Sequence, residues 1–349
     1  MGARASLTPI IRSEKRVSMA EEDPARITGQ KDLFTDPDPD KARLFFRNKS
    51  RALVSKLSTV EEVVHSMVHD GDYIAIGGFG AIRMPTPIIH EIVRRGKKNL
   101  GLAGHTSTHD FQVLVAGECI DRCDVAYIIG LEARGYSSNA RRYVESGKLK
   151  ITEWSNAALA WRLKAAAMGV SFLPARNLLG TDTLRQSAAK VIECPYTGKR
   201  YVAYPALYPD FAAIHVHESD VYGNCRVYGA SMSDQDLAKA SKRVVITTER
   251  LIHTERFREN PEATFIPYWC VDAVIEIPYG SYPGNMPYEY YSDEEHLIEW
   301  LQAERSPSGF KDFLKKQIFD TKNFYEYLEL NGGIEKMKKL RARELLIDR

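Results

Sequence analysis

The stretch from Gly71 to Gly96 reads GDYIAIGGFGAIRMPTPIIHEIVRRG and decides the fold. Its apolar run Tyr73–Ile76 has the composition of a short buried strand, and Thr86–Arg95 has the apolar spacing of a helix. The turn Gly77–Gly80 between them holds three glycines. Glycine tolerates positive φ and lets another group approach the backbone with no Cβ in the way. A strand, a glycine turn and a helix in this order predict a βα unit that binds a ligand at the carboxyl end of its strand.

The glycine turn matches neither of two common phosphate-binding patterns. Its spacing is not G-x-G-x-x-G and not G-x-x-x-x-G-K-[ST], so we predict neither a dinucleotide site nor a P-loop. On local sequence alone, two interpretations stay open. The turn either presents its backbone to a ligand or only reverses the chain.

Strands and helices alternate through the rest of the chain. Apolar, β-branched strands that alternate with amphipathic helices predict an α/β fold, with an open, mainly parallel sheet flanked by helices. The further predicted strands are Leu100–Ala103, Val125–Ile129, Phe211–His217, Arg243–Thr248 and Ala273–Ile277. The further predicted helices are Asp110–Ala116, Ala140–Ser146 and Ala157–Met168.

The two ends of the chain differ in composition from its middle. Residues 1–56 form a charged extension whose FTDPDPDKARLFF segment allows only one short helix, at Lys41–Phe46, so we expect this extension to be flexible. A folded domain is predicted over residues 57–328, and its first helix begins at a capping box of Ser58 and Glu61. Residues 329–349 form a charged C-terminal helix, within a helical pattern that runs from residue 325 to residue 346.

Composition excludes several classes of partner. The 48 Lys and Arg residues nearly balance the 46 Asp and Glu residues, so the net charge of +2 gives no reason to expect nucleic acid or an anionic membrane. No apolar run approaches the roughly 20 residues that span a bilayer. The five cysteines form no C-x-x-C pair, so they indicate neither a disulfide framework nor structural zinc. We therefore expect a cytoplasmic protein.

Two histidine pairs resemble metal-ligand spacings. His105 and His109 are four residues apart, but the segment between them has no helical pattern, so we predict no metal site and expect His105 to line a substrate pocket. His215 and His217 alternate along a predicted strand and point to the same face. We interpret them as a hydrogen-bonded pair in the core.

The 71–96 stretch and four later segments resemble the A subunits of class I coenzyme A transferases, in particular those of the glutaconate CoA-transferase type. The resemblance extends from Ser58 to about Leu328 and leaves the N-terminal extension out. The later segments are NLGLAGHTSTHDFQVLVAGECID, RRYVESGKLKITEWS, AAAMGVSFLPARNLLGTD and VDAVIEIPYGSYPG.

This resemblance implies half of an enzyme. In the family, two related subunits handle a CoA thioester substrate in the cleft between them, and no cofactor is bound permanently. The nucleophile is a glutamate of the B subunit in a Ser-Glu-Asn-Gly setting, a tetrapeptide that this chain lacks. The implied function is the A subunit of a CoA-transferase, paired with a homologous B subunit, most simply as α2β2. The enzyme moves CoA between an acyl-CoA and a carboxylic acid.

The resemblance also implies site residues. The loop formed by Gly77, Gly78, Phe79 and Gly80 is associated with the acyl-CoA and is expected to place backbone amides near the thioester oxygen. The sequence itself, and not the resemblance, suggests three further substrate-binding candidates, of which Arg83 has a surface position as its alternative; the three are Arg83, His105 and Arg134.

Glu132 is the catalytic candidate. The glutaconate type has an uncharged residue at this place, so the carboxylate of Glu132 is a departure from that type. A carboxylate here resembles relatives of the same fold that hydrolyse a carbon–carbon bond or decarboxylate an acyl-CoA. The alternative function is therefore a hydrolase or decarboxylase that uses Glu132, and the alternative role for Glu132 is a loop or interface charge. A ligand-sensing regulator of related fold would need a DNA-binding helix pair ahead of the fold, which residues 1–56 do not show.

Overall fold

A computed structural model describes residues 28–128, 130 and 134–347. The strands are β1 (Tyr73–Ile76), β2 (Leu100–Gly104), β3 (Ile120–Val125), β4 (Lys150–Glu153), β5 (Phe172–Ala175), β6 (Lys190–Glu193), β7 (Arg200–Pro205), β8 (Phe211–Ser219), β9 (Cys225–Arg226), β10 (Arg243–Leu251) and β11 (Ala273–Glu276). The helices are α1 (Pro39–Asn48), α2 (Val60–Met67), α3 (Thr86–Arg94), α4 (His109–Ala116), α5 (Ser138–Glu145), α6 (Asn156–Met168), α7 (Asp182–Arg185), α8 (Asp234–Ala240), α9 (Glu255–Glu259), α10 (Glu294–Ala303), α11 (Pro307–Leu314), α12 (Phe324–Leu330) and α13 (Gly333–Glu344). Short 3-10 helices occupy Pro261–Ala263 and Tyr268–Cys270, and a π-helical turn occupies Lys315–Phe319.

The main sheet has eight strands, in the order β11-β10-β8-β1-β2-β3-β4, with β9 paired to β8. Its pairs are parallel except β8 with β9. β5, β7 and β6 form a second, antiparallel sheet. The predicted α/β fold with a mainly parallel sheet is confirmed.

The strand order reverses at β1. From β1 the chain continues to β2, β3 and β4 on one side, and it later returns to β8 on the other side. In open α/β sheets, ligands bind in the crevice outside the carboxyl ends of the strands at such a switch point. A ligand-binding site is therefore expected at the carboxyl ends of β1 and β8.

Helices cover both faces of this sheet, and β1 shows why. Side chains alternate between the two faces along a strand. Ile74 packs in a core with Ile88 of α3, whereas Tyr73 and Ala75 pack in another core with Leu237 of α8. A third core lies under the small antiparallel sheet.

The third strand lies earlier than predicted. We expected Val125–Ile129, but β3 ends at Val125, and Ile129 lies outside the described residues. The strand prediction relied on apolar runs, and β3 contains charged residues that are not typical of a buried strand. One of them, Asp124, is nevertheless fully buried. Asp124 accepts hydrogen bonds at 2.5 Å from the Tyr73 hydroxyl and at 2.5 Å from Trp154 Nε1, and Arg162 pairs with it at 2.7 Å.

Two helix boundaries also differ from the sequence expectation. The capping box of α2 is formed by Thr59 and Glu62, one residue later than the predicted pair of Ser58 and Glu61. The C-terminal helical pattern is broken into α12 and α13. The break falls where Gly332 and Gly333 both take positive φ, 110° and 57°.

Residues 28–58 cross the amino ends of the main sheet from one edge to the other. At the first edge, the Thr152 hydroxyl of β4 donates to the Asp32 carbonyl at 2.8 Å. The middle of this segment lies beside Tyr73, Asp210 and Lys242, which begin or precede β1, β8 and β10. At the far edge, the Ser58 N–H donates to the Val274 carbonyl of β11 at 3.0 Å.

This segment contains the predicted short helix, which is longer than expected. We predicted Lys41–Phe46, and α1 spans Pro39–Asn48. Residues 28–56 thus contact the folded domain at several points, and the division of the chain into three regions stays a prediction. Within the part of the chain that the structure describes, no helix is long and apolar enough to span a membrane.

We expect Lys49→Met to lower the free energy of unfolding by about 1.5–3 kcal/mol, because hydrogen bonds to charged groups contribute about that much. The largely buried Lys49 ammonium donates to the carbonyls of Lys242 and Cys270 at 3.0 and 2.8 Å and pairs with Asp272 at 2.8 Å. Urea unfolding measures the change. The control is Lys41→Met, because Lys41 pairs with Asp36 on the surface. Unchanged stability of Lys49→Met would contradict this anchoring role.

Candidate active site

The glycine loop begins at the switch point of the sheet. The Gly77 N–H donates to the Ala213 carbonyl of β8 at 2.8 Å, which extends the pairing of β1 with β8 by one residue. Phe79 and Ile82 then exchange hydrogen bonds of 3.0 Å in both directions, and these bonds close a tight turn. The Gly80 N–H donates to the Thr106 carbonyl, just past β2, at 2.8 Å.

The three glycines of the loop differ in what a side chain at each position would meet. A Cβ on Gly77 would lie 2.7 Å from the Asp234 carboxylate. Gly78 has φ 84°, and its Cβ would lie 2.2 Å from the Ile82 carbonyl oxygen. Gly80 has φ 63°, and its Cβ would meet no atom within 4 Å. The chain's own atoms therefore exclude side chains at Gly77 and Gly78, and only Gly80 opens onto free space.

The amides of the loop are engaged within the chain. Each of the four N–H groups donates to an acceptor of this chain, so the amides fix the shape of the loop in this conformation. Their role towards a thioester oxygen stays a prediction. In chain order, the acceptors are the Ala213 carbonyl, the Asp234 carboxylate, the Ile82 carbonyl and the Thr106 carbonyl.

Arg83 lies at the end of the loop and is fully buried. Its Nη2 pairs with Asp234 Oδ2 at 2.7 Å and donates to the Ala230 carbonyl at 3.2 Å. The surface position is therefore wrong for this side chain, and a substrate anion would have to compete with Asp234 for it, so contact with a substrate stays a prediction. Arg83 instead holds the loop against the chain segment that follows β8.

Asp234 is the residue of the site that sequence analysis missed. It is the first residue of α8, and its Oδ1 accepts the Gly78 N–H at 2.7 Å. The stretch SMSDQD carries a helix-start signal in Ser233 before Asp234. That signal predicts a helix boundary but not a contact with a loop 156 residues earlier.

A second loop supports the first. The Asn285 N–H donates to the Ala81 carbonyl, and the Arg83 N–H donates to the Asn285 carbonyl, each at 2.9 Å. The Ser281 hydroxyl accepts the Met84 N–H at 2.9 Å. Gly284 must be a glycine, since a Cβ there would lie 2.0 Å from the Ala81 oxygen. The SYPGN sequence in the last segment of the family resemblance therefore builds a wall behind the glycine loop.

His105 lies beside the loop, directly after β2. Its ring packs edge-on against Phe79, with the centroids 6.4 Å apart. Burial lowers the pKa of His105, and the opposing charge of Asp234 only partly offsets this effect. Its buried Nε2 has no hydrogen-bond partner among the residues described. The structure thus brings a neutral imidazole next to the loop, as expected for a pocket-lining residue.

The other two candidates, Glu132 and Arg134, follow β3 in the sequence. Glu132 lies outside the described residues, so its position stays a prediction. Arg134 donates to both oxygens of Glu294 on α10, at 2.6 and 2.7 Å. This pairing lowers the pKa of Glu294. A substrate carboxylate would have to compete with Glu294 for Arg134.

The other histidines that sequence analysis singled out, His109, His215 and His217, are packed in the core. His215 bonds to Thr247 and Glu249 at 2.8 and 2.7 Å, and His217 bonds to the Pro287 carbonyl at 2.8 Å, so the predicted hydrogen-bonded pair is confirmed. His109 begins α4, contrary to the loop character expected of its segment, and burial lowers its pKa to about 3. Among the residues placed by the structure, no group of three or more His, Cys, Asp or Glu residues is arranged to hold a metal.

We expect Gly78→Ala to destabilise the protein more than Gly80→Ala. Both positions have positive φ, which costs an alanine about 1–2 kcal/mol. Gly78→Ala adds the overlap with the Ile82 carbonyl. Urea unfolding measures both variants against Gly71→Ala, a control with φ 86° and no atom within 4 Å of the new Cβ. Equal losses at Gly78 and Gly80 would show that the overlap is relieved without cost.

Comparison with known proteins agrees with this geometry. Residues 57–277 match the family model described as Coenzyme A transferase. An uncharacterized protein of Archaeoglobus fulgidus is 48% identical over 334 residues, which cover 95% of this chain and 75% of that one. The A subunit of glutaconate CoA-transferase from Acidaminococcus fermentans is 30% identical over 297 residues, which cover 80% of this chain and 93% of that one.

Solved structures extend the comparison. The crystal structure of glutaconate coenzyme A-transferase from Acidaminococcus fermentans matches with a TM-score of 0.78 and 29% identity, over 82% of this chain and 96% of that one. A variant of the decarboxylase AibA/AibB matches with a TM-score of 0.67 and 30% identity, over 75% of this chain and 98% of that one. The chain, with its glycine loop at the switch point of a parallel sheet, belongs to the coenzyme A transferase family and is an A subunit of that family.

Proposed function

We propose that this chain is the A subunit of a two-subunit enzyme that moves CoA between an acyl-CoA and a carboxylic acid. The observation that carries the proposal is the glycine loop, whose four N–H groups are hydrogen-bonded within the chain at the switch point and which, of its three glycines, leaves open space only over Gly80. The chain has no Ser-Glu-Asn-Gly sequence, so the glutamate nucleophile is assigned to a homologous B subunit. The similarity to the A subunit of glutaconate CoA-transferase supports this division.

In this mechanism, the partner's glutamate attacks the thioester carbonyl and displaces CoA to form an anhydride. CoA then attacks the glutamyl carbonyl of this anhydride, which releases the donor's carboxylate and leaves a glutamyl-CoA thioester. The acceptor carboxylate attacks this thioester and displaces CoA, and CoA attacks the acyl carbonyl of the new anhydride to give the product acyl-CoA and the free glutamate. Several easier steps thus replace one difficult acyl transfer. In this mechanism the A subunit contributes a surface that positions the thioester, and it contributes no reacting group. Its loop forms one wall of the cleft at Phe79 and Gly80, and a rigid wall places the thioester without reorganisation during the reaction.

The side chains near the loop fit a neutral wall. His105 is the proposed contact for the acyl group, because it is neutral and its Nε2 is unpartnered within the described residues. Arg134 remains a proposed substrate contact, in competition with Glu294. Arg83 is a weaker candidate for a contact, because its fully buried side chain is paired with Asp234.

The proposed assembly is α2β2 with a homologous B subunit, and its substrates are an acyl-CoA and a carboxylic acid. The chemistry needs no permanently bound cofactor, since CoA enters as the substrate. The five cysteines are all free, which fits a reducing cytoplasm.

We expect the isolated chain to be inactive and the co-expressed complex to form a covalent intermediate on the B subunit. Incubation of the complex with an acyl-CoA, followed by borohydride or hydroxylamine trapping and peptide mass spectrometry, locates the modified glutamate. Modification of the B subunit is the expected result. Transfer to acetate or succinate by the isolated chain would overturn the assignment of the nucleophile to a partner.

The alternative function is hydrolysis of a carbon–carbon bond or decarboxylation of an acyl-CoA, with Glu132 as the base. Two observations favour it. Glu132 follows β3 in the sequence, and the carboxyl end of β3 lies at the same edge of the parallel sheet as the carboxyl end of β1, which carries the glycine loop. The similar AibA/AibB structure is that of a decarboxylase.

Glu132→Gln distinguishes the two functions. A general base contributes about 10²–10⁴-fold, so kcat falls by about that factor if Glu132 is the base. In the transferase we expect a much smaller loss, with the trapped intermediate on the partner unchanged. Glu145→Gln is the control, because Glu145 forms an exposed pair with Arg141 on the nearby helix α5. A 10²-fold or larger loss in Glu132→Gln, without a trapped intermediate, would decide for the alternative.

A further inference from the structure

One carboxylate holds both ends of the glycine loop. Asp234 Oδ1 accepts the Gly78 N–H at 2.7 Å. Its Oδ2 accepts from Arg83 Nη2 at 2.7 Å and from the Ser231 hydroxyl at 3.3 Å. The Asp234 side chain is 1% exposed and that of Arg83 is 0% exposed. The start and the end of the turn are therefore fixed to a single buried group.

This carboxylate comes from the other half of the sheet. Asp234 begins α8, which the chain reaches after β8 and β9, whereas the glycine loop follows β1. β1 and β8 are hydrogen-bonded neighbours. Leu237 and Ala238 anchor α8 in the core on that face. The position of α8 therefore sets the shape of the loop.

Stability alone does not account for this ion pair. The desolvation of a buried ion pair can exceed its Coulombic gain, and apolar replacements of similar volume are often neutral or stabilising. Arg83 also has a left-handed φ of 55°, and its buried Nε has no acceptor among the described residues. Strained backbone and unpartnered buried polar groups are concentrated at functional sites.

We propose that Asp234 is a positioning residue for the reaction. Its carboxylate, paired with Arg83, fixes the loop so that Phe79 and Gly80 present one constant surface to the thioester. Asp234 acts through the loop and does not itself touch the substrate. The catalytic consequence rests on the proposed function, whereas the effect on the loop does not.

Asp234→Asn in the full chain, co-expressed with its partner subunit, tests the proposal. The amide keeps the side-chain shape and an oxygen for the Gly78 N–H but removes the charge that pairs with Arg83. We expect kcat to fall by about 10²-fold with little change in KM, since a small displacement of a positioned group has effects of this size. Hydrogen exchange of the peptide 74–85, measured by mass spectrometry, is expected to become faster as the loop opens locally.

Two further variants separate positioning from a merely structural role. Asp236→Asn is the matched control, because Asp236 lies in the same helix and contacts Lys164 only through a surface pair of 3.5 Å. The double variant Arg83→Met, Asp234→Leu removes both buried charges and fills their space. Positioning predicts restored stability with low kcat and fast exchange in the loop. A structural role predicts that kcat and slow exchange return together with stability.

Each outcome decides between these roles. Wild-type kcat and wild-type loop exchange in Asp234→Asn would overturn the proposal. If Asp234→Asn fails to fold, the double variant supplies both measurements. If the wild-type complex turns over no acyl-CoA, the proposed function fails, and the exchange of the loop peptide still determines whether Asp234 fixes the loop.

Discussion

The buried carboxylate of Asp234 constrains the whole candidate site. It can reach the Gly78 N–H only because Gly77 has no Cβ, which would lie 2.7 Å from its oxygen. Its second oxygen forms an ion pair with the guanidinium of Arg83. The backbone of Arg83 has a left-handed φ and leads the chain towards α3. Glycine content, helix placement and the buried cation are therefore parts of one arrangement. The wall around Asn285 completes it from the opposite side.

The amino and carboxyl ends of the main sheet's strands differ in how far they are covered, and this difference favours ligand binding at the carboxyl ends. Residues 28–58 cover the amino ends of the strands and pair with the edge strand β11, which leaves less of that edge exposed. The carboxyl ends instead carry the glycine loop after β1 and His105 directly after β2. A covered amino end and a structured, partly open carboxyl end fit ligand binding at the switch point.

Sequence analysis found elements whose information is local and missed those that depend on distant partners. β1, β8 and β10 are apolar runs, so their composition was sufficient. β3 was misplaced because the charge of Asp124 is neutralised by Arg162, which lies on α6. The small antiparallel sheet was missed because its strands are short and partly exposed.

The same distinction holds within the site. Glycines at positive φ and a strand followed by a helix are local signals, so the loop was found. The buried position of Arg83 was missed because its partner Asp234 is 151 residues away. The pairing also has a chemical consequence in the proposed transferase. An unpaired guanidinium facing the cleft would lower the pKa of the partner's glutamate and make that carboxylate a weaker nucleophile. In the described part of the chain, Arg83 is paired with Asp234 and Arg134 with Glu294, so neither guanidinium is left unpaired to act on a nucleophile of the proposed partner.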